Sequence, residues 1–172
     1  MFCERREKWE AEDFSEVLTE LEKKPLNRQL LSPIILAYLA GLLDGGGELG
    51  YLMLRVSGRV FYVPYLCFCS SREVLDFVLR QVGDGIFLGR DTRQLCLYVI
   101  GLRAVIVSRV LGPYLRGIKK KVANLISEFG YKLSTTSPKS LFESEGLGVK
   151  KKNIVLNGKK AVKNVPVSYS TL

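Results

Sequence analysis

The stretch LAYLAGLLDGGGELGY, residues 36–51, decides how this chain is interpreted. It starts as an apolar helix rich in small side chains and then runs through Asp44, three glycines and Glu48. Ala37, Ala40, Gly41 and Asp44 follow the spacing i, i+3, i+4 and i+7, which predicts that they share one helix face. A stripe of small residues lets two helix backbones approach closely.

Asp44 is expected at the negative end of this helix. An acid there costs about 0.3–1 kcal/mol unless a cation or a donor compensates it. Helix physics alone leaves two interpretations open. Asp44 is either an exposed acid that tolerates a small penalty or a functional carboxylate.

The elements around the stretch alternate between helix and hairpin. Ser32 and Pro33 predict a helix start, and the helix is expected to end at Asp44. Two strands are predicted at residues 49–56 and 60–68, a helix at 71–82, and two shorter strands at 86–89 and 94–100. Helices are predicted at 103–111 and 118–129. Hairpins without crossovers predict an α+β fold with an antiparallel sheet and the helices on one face.

The ends of the chain differ from this middle part. Residues 4–24 have the pattern of an acidic amphipathic helix, and residues 150–163 contain six lysines and no acid. The basic end is expected to be either a last hairpin or a flexible tail. We therefore expect an acidic N-terminal extension at 1–31, one domain at 32–133 and a basic extension at 134–172.

Charge is distributed unevenly along the 172 residues, whose formal net charge is +9. Residues 1–24 hold eight acids and five bases, so the remainder holds 21 bases and nine acids. Such an excess suits a polyanion, most often nucleic acid, although a merely soluble basic protein would show it as well.

Several function classes are disfavoured by composition. The chain has no histidine, so Ser-His and Cys-His nucleophile pairs are excluded. The four cysteines form no C-x-x-C pair and are expected to be reduced thiols rather than a zinc site, with Cys67 and Cys69 pointing the same way on a strand. No apolar run reaches the ~20 residues of a membrane span, and the charged N-terminus does not have the pattern of a secretory signal.

Residues 39–47, LAGLLDGGG, resemble the LAGLIDADG motif of homing endonucleases. The element order is similar to the αββαββα domain of that family, with its antiparallel four-stranded saddle sheet and helices on one face. Residues 113–116 and 119–125 resemble the family's closing basic segment and helix. The resemblance covers roughly residues 33–130.

This resemblance implies a function. Single-motif members are homodimers that pack two motif helices through small residues, here Ala37, Ala40 and Gly41, and lay a saddle on double-stranded DNA. Carboxylates at the helix ends hold Mg²⁺ and make the family members endonucleases. Asp44 matches one acid of the motif, and Lys119, with Lys121 as the fallback, matches the family's catalytic lysine.

The chain departs from the family pattern at one position. The eighth motif residue is normally the metal-binding acid, and here it is Gly46. Glu48 is the nearby substitute, so Asp44 and Glu48 are the expected metal ligands if the protein is active. Poor Mg²⁺ binding is expected without the usual carboxylate.

DNA contacts are expected from basic and amide side chains. Both parities of the second strand are largely apolar, which limits base readout. Residues near turns suit phosphate contacts better than base contacts. The candidates are Arg55, Arg59, Arg72, Arg90, Arg93, Gln94, Arg116, Lys120 and Lys121, with Tyr51 and Tyr98 as further polar strand residues.

Three functions remain open from the sequence. The first is a homing endonuclease-like protein that binds, and with Mg²⁺ cleaves, double-stranded DNA. The second is an inactive relative, either a DNA-binding protein or an intron-RNA maturase. The third is a basic protein whose partner is another protein bound through residues 4–24. The compartment is open among chloroplast, mitochondrion and prokaryotic cytoplasm.

Overall fold

The structure, a computed structural model, describes residues 32–56, 59–91, 94–130, 142–144, 146–156 and 159–168. The predicted acidic helix at residues 4–24 lies outside these ranges. The first helix and hairpin are α1 (Pro33–Gly46), β1 (Glu48–Val56) and β2 (Arg59–Ser70). They are followed by α2 (Arg72–Val82), β3 (Ile86–Asp91) and β4 (Gln94–Ile100). The remaining elements are α3 (Leu102–Leu111), a 3₁₀ turn (Gly112–Tyr114), α4 (Gly117–Phe129), β5 (Leu147–Leu156) and β6 (Lys159–Ser168).

Local sequence explains where the first two helices begin and end. Ser32 and Pro33 occupy the N-cap and first position of α1, as predicted. Gly83 ends α2 with φ at 82°, a left-handed conformation that favours glycine. The predicted α+β architecture with a helix–hairpin–helix–hairpin order is therefore confirmed.

The sheet is larger than the four strands predicted. Its strand order is β3-β4-β2-β1-β6-β5, and every neighbouring pair is antiparallel. Of the two structures expected for the basic C-terminal region, a hairpin or a flexible tail, the region forms the hairpin, β5–β6. Residues 51–53 of β1 pair with residues 162–164 of β6, so the hairpin covers an edge that would otherwise be unpaired.

The two faces of the sheet have different surroundings. Leu66, Phe68 and Leu97 face the main core, which they share with the helices. Val63, Tyr65 and Cys67 alternate with them and form a second buried cluster with neighbours on β1 and β4. The predicted apolar character of both parities of β2 is confirmed, since both faces at its centre are buried.

No helix in the described part of the chain has the length and hydropathy that a membrane crossing needs.

Candidate metal site and nucleic-acid interface

The end of α1 is built on a close approach between a helix and a strand. The Gly47 amide donates to the Leu43 carbonyl at 2.9 Å, which closes the last turn. A Cβ on Gly47 would lie 2.7 Å from the Cys67 carbonyl oxygen and 2.7 Å from Leu43 Cδ2, so no larger residue fits. A Cβ on Gly45 or Gly46 would meet nothing within 4 Å. Of the three glycines, only Gly47 is required by packing.

Lys119 contacts the end of α1 from the first turns of α4. Its Nζ donates to the carbonyl of Leu43 and, at 2.9 Å, to the carbonyl of Asp44. A lysine beside the last carbonyls of a helix satisfies free acceptors and offsets the negative end of the dipole. This cation is the compensation that the acid at Asp44 needs.

The electrostatics of Lys119 connect it to both candidate metal ligands. Burial lowers the pKa of the Lys119 ammonium, and the nearby carboxylates of Asp44 and Glu48 act in the opposite direction. Both acids are half-buried, and both act electrostatically on the same ammonium. Two carboxylates from the stretch at residues 36–51 thus act on the ammonium of Lys119, which comes from α4.

The donor chemistry here fits a divalent ion of the Mg²⁺ type. Mg²⁺ is usually held by one or two carboxylates together with substrate phosphates and water, and Asp44 and Glu48 offer two carboxylates. Gly46 brings none, and the Lys119 ammonium competes for the same negative charge. The donor atoms are therefore of the kind that Mg²⁺ prefers. The negative charge available to the ion is lower than that of two carboxylates, because the Lys119 ammonium neutralises part of it.

The small-residue stripe of α1 is divided between two environments. Ala37 and Gly41 are exposed, and they lie on the same side as Ile34, which is 81% exposed, and Tyr38, which is 45% exposed. Ala40 is 1% exposed and packs in the chain's own core. Of the three predicted interface residues, Ala40 is thus the one whose side chain a second subunit would not reach.

Arg72 is exposed but already has two partners. Its Nε donates to both carboxylate oxygens of Asp76 at 3.0 and 3.1 Å. Its guanidinium also lies 4.0 Å from the centre of the Phe87 ring. An exposed ion pair contributes less than about 1 kcal/mol, so a phosphate could replace Asp76 at small cost.

Three predicted DNA contacts gather at the start of α4. Arg116 is the N-cap residue of this helix, and Lys120 and Lys121 follow within its first turns, all three exposed. The first turn holds no acid. A helix start with exposed bases is a favourable environment for a phosphate, because the first amides of a helix have no partner within the helix itself.

The strand candidates fall at two ends of the sheet. Arg55 and Arg59 lie where β1 ends and β2 begins, whereas Arg90 and Gln94 lie where β3 ends and β4 begins. Because β2 runs antiparallel to β4, these two places lie at opposite ends of β2, about 35 Å apart at ~3.3 Å per residue. Arg93 lies outside the described residues. The structure likewise does not describe the side chains of Arg55, Arg59, Arg90 and Gln94.

Tyr51 and Tyr98 are not available as polar contacts to DNA. Tyr51 faces the helix side, where its ring packs 5.9 Å from that of Phe142 and burial raises the pKa of its hydroxyl to about 12. Tyr98 is 3% exposed in the second cluster. Strand alternation could have assigned Tyr51 to the core, since it shares parity with the buried Leu49.

The cysteines depart from the expectation of reduced thiols. Cys69 and Cys96 form a disulfide, because the register of β2 and β4 places them directly opposite each other. Cys67 and Cys69 do lie on the same side of β2, with their sulfur atoms 3.5 Å apart. Spacing along the sequence gave no sign of the third cysteine, which comes from another strand.

Comparison with known proteins supports the fold through structure rather than sequence. Neither the family models nor the curated proteins give a match. The homing endonuclease I-CvuI in complex with its target in the presence of Ca aligns with a TM-score of 0.53 and 23% identity. The alignment covers 64% of this chain and 75% of that chain.

Two further solved structures also align with this chain. I-CvuI in complex with the I-CreI target in the presence of Mg, with the DNA not cleaved, gives the same TM-score, identity and coverage. The LAGLIDADG meganuclease I-AabMI bound to uncleaved DNA aligns at a TM-score of 0.47 and 15% identity, over 64% of this chain and 43% of that chain. The antiparallel sheet with its helices on one face, in the order described above, is the fold of the LAGLIDADG homing endonucleases.

Proposed function

We propose that this protein binds double-stranded DNA as a homodimer. The proposal rests on the fold, since the I-CvuI structures with the same fold are DNA complexes. It is supported by a net charge of +9 and by the exposed bases at the start of α4. The basic β5–β6 hairpin extends the same sheet and adds six lysines to it.

The exposed side of α1 is the surface through which two subunits would pair. Gly41 and Ala37 allow close backbone approach, and Ile34 and Tyr38 supply apolar area beside them. A two-fold pairing there would place two Asp44–Glu48–Lys119 groups near one axis. Such a dimer would bind a pseudo-palindromic site.

DNA binding by this sheet would depend mainly on phosphate contacts. The centre of the face opposite the helices consists of buried side chains, mainly apolar and aromatic, which base edges would not reach. Arg55 and Arg59 lie near one end of β2 and Arg90 near the other, a separation of about one turn of duplex. Affinity should therefore fall steeply with salt, and sequence selectivity should be modest.

We further propose that the group at the end of α1 is a hydrolytic site. The observation that carries this proposal is the convergence of Asp44, Glu48 and Lys119 at one helix end. The two carboxylates would hold a divalent ion, Mg²⁺ being the first candidate. When bound, such an ion activates water and stabilises the leaving oxygen of a phosphodiester. The Lys119 ammonium would stabilise negative charge on the phosphate.

A second candidate function is binding without cleavage, as a DNA-binding protein or an intron-RNA maturase. Gly46 favours it, because the usual acid is missing where an acid would have open space around it. The Lys119 ammonium favours it too, because it already neutralises part of the charge that a metal ion requires.

A binding selection followed by a nicking assay tests these functions. The full chain would be used to select sites from a random duplex library at several salt concentrations. A supercoiled plasmid with the selected site would then be incubated with Mg²⁺ or Mn²⁺, using Asp44→Asn/Glu48→Gln as the matched control. Nicking that the double variant loses supports the hydrolytic site.

The other outcomes separate the remaining possibilities. If a duplex is selected but not nicked, the result supports a DNA-binding protein without cleavage activity. If no duplex is selected but a structured intron RNA binds tightly and in a salt-sensitive way, the result supports a maturase. Equal and weak binding to every nucleic acid tested contradicts the proposed function as a whole.

A further inference from the structure

Three cysteines meet on the sheet face opposite the helices. Cys67 and Cys69 lie two residues apart on β2, and Cys96 lies opposite Cys69 on β4. Their sulfur atoms all lie within 4.8 Å of one another. Cys67 and Cys96 are fully buried, and Cys69 is half-buried. The proposed DNA-binding and hydrolytic functions use none of these thiols.

We propose that the reduced cysteines form a site for one thiophilic d¹⁰ cation, Zn²⁺ or Cu⁺. Thiolates select these ions over the hard cations that carboxylates bind. At a metal–sulfur distance of about 2.3 Å, the sulfur atoms of one site lie roughly 3.8 Å from each other. In the oxidised chain the sulfur atoms of Cys67 and Cys69 lie 3.5 Å apart and all three lie within 4.8 Å of one another. Cys69 and Cys96 are bonded, so these two sulfur atoms must move apart to this distance once the disulfide is reduced.

The surroundings explain why a cation would bind. Val63, Leu52 and Tyr65 border the thiols, so their environment is apolar. Three thiolates cannot accumulate side by side in such an environment without a cation, because each would be desolvated and each would repel the others. A bound cation removes both penalties at once. The site is therefore expected to remain protonated until the metal ion arrives.

The number of ligands bears on which ion binds. No fourth cysteine and no carboxylate joins the three sulfur atoms within the part of the chain that the structure describes. Cu⁺ accepts three thiolates, whereas Zn²⁺ would complete four-coordination with a water molecule. Zn²⁺ with three thiolates leaves one net negative charge in the site, and Cu⁺ leaves two. Both ions share the soft-ligand chemistry, and the experiment distinguishes them.

The disulfide and the metal ion exclude each other. Opening the Cys69–Cys96 bond takes two electrons and two protons from a dithiol reductant, which becomes a disulfide in turn. The three thiols then lose three protons to solvent as the ion binds. An oxidised chain keeps only one thiol in the cluster and should bind the ion far more weakly.

The test uses the full chain reduced with a phosphine. Co²⁺ replaces Zn²⁺ as a probe, because thiolate-to-cobalt charge transfer absorbs in the near ultraviolet in proportion to the number of thiolates. Cu⁺ is titrated separately against a chromophoric chelator. We expect one ion per chain and at least a tenfold loss of affinity in Cys67→Ser and Cys96→Ser. Cys3→Ser is the matched control and should bind like the unchanged protein.

Proton release provides a measurement that needs no variant. Binding at mildly alkaline pH should release about three protons per ion from the unchanged chain. Fewer than two protons, equal binding by the oxidised chain, or full affinity in Cys67→Ser would each overturn the three-thiolate site. None of these outcomes depends on DNA binding or cleavage.

Discussion

Lys119 Nζ donates to the carbonyl oxygen of Asp44 at 2.9 Å, across 75 residues of chain. The contact joins the first turns of α4 to the last turn of α1, and the same ammonium also contacts the Leu43 carbonyl. It supplies cationic charge at the end of a helix that has no basic residue of its own in its last turn. Stability and proposed chemistry therefore depend on the same side chain.

Replacing Lys119 by methionine should destabilise the fold. The change removes the hydrogen bonds of Lys119 to two helix-end carbonyls, of which that of Leu43 keeps the Gly47 amide, and it removes the charge that offsets the dipole. The expected loss is about 1–2 kcal/mol in the free energy of unfolding, measured by urea titration. Lys121→Met is the control, because Lys121 is exposed on the same helix and should change stability by less than about 0.5 kcal/mol. Equal effects in both variants would contradict the capping role.

The Glu48→Gln substitution should lower the pKa of Lys119 further. Burial already lowers this pKa, and the Asp44 and Glu48 carboxylates partly counteract the shift, so removing one of them increases it. The prediction is checked by NMR titration of the lysine Nζ. An unchanged or higher pKa in Glu48→Gln would show that the two groups do not interact.

The sign of the linked stability change follows from the same shift. Because the folded pKa of Lys119 lies below the unfolded one, the unfolded chain holds this proton more tightly between the two values. The contribution of Lys119 to stability should rise as alkaline pH passes through that window. Lys119→Met should lose this dependence, which denaturant titrations at several pH values would detect.

Gly46→Asp should add a third carboxylate to the proposed metal site without disturbing the fold. A Cβ at Gly46 meets nothing within 4 Å, and the position falls where the family motif carries its acid. We expect at least a tenfold gain in Mg²⁺ affinity by calorimetry, because a third carboxylate joins Asp44 and Glu48. Gly45→Asp is the matched control, since Gly45 is equally open but lies one residue away. Equal gains in both variants would indicate a general charge effect and contradict a specific position.

Much of the fold could be predicted from local chemistry. Ser32-Pro33, Gly83 and the two strand-like runs at 49–56 and 60–68 were sufficient to place the start of α1, the end of α2 and the central hairpin, whereas α1 runs two residues past the predicted end at Asp44. The fifth and sixth strands could not be decided, because six lysines with a turn signal fit a tail as well as a hairpin. Pairing with β1 settles the choice, and such pairing is a long-range property that the local sequence does not carry.

The sequence indicated candidate residues for this site, but not the contacts that they make. The family resemblance brought Asp44 and Lys119 together, yet the hydrogen bonds of Lys119 are to main-chain carbonyls, which no side-chain pattern reveals. Periodicity placed Ala40 on the small-residue stripe, and tertiary packing buried it. The Cys67–Cys69–Cys96 cluster was missed because its third member depends on the register of β2 against β4.

Gly47→Ala should be among the most damaging single changes near the motif. Its added methyl group would lie 2.7 Å from the Cys67 carbonyl oxygen, and this close neighbour is backbone that cannot rotate away. The expected destabilisation is about 2–4 kcal/mol. Gly45→Ala, inside the helix and open on all sides, should instead be neutral or stabilise by up to about 1 kcal/mol. Thermal unfolding of both variants checks this contrast, and similar midpoints would show that α1 does not pack against β2 as described.

Gly41→Glu should separate the proposed dimer while leaving each subunit folded. Gly41 is exposed and a Cβ there would meet nothing within 4 Å, so the substitution has no clash within the chain and even favours the helix. In a two-fold pairing through α1, two glutamates would meet across the axis, and like charges at close range disfavour association.

Sedimentation should show the unchanged protein as a dimer and Gly41→Glu as a monomer with native circular dichroism. Asn124→Glu adds the same charge on the exposed side of α4 and should remain dimeric. An unchanged protein that sediments as a monomer at micromolar concentration, or an Asn124→Glu variant that dissociates equally, would show that α1 is not the pairing surface.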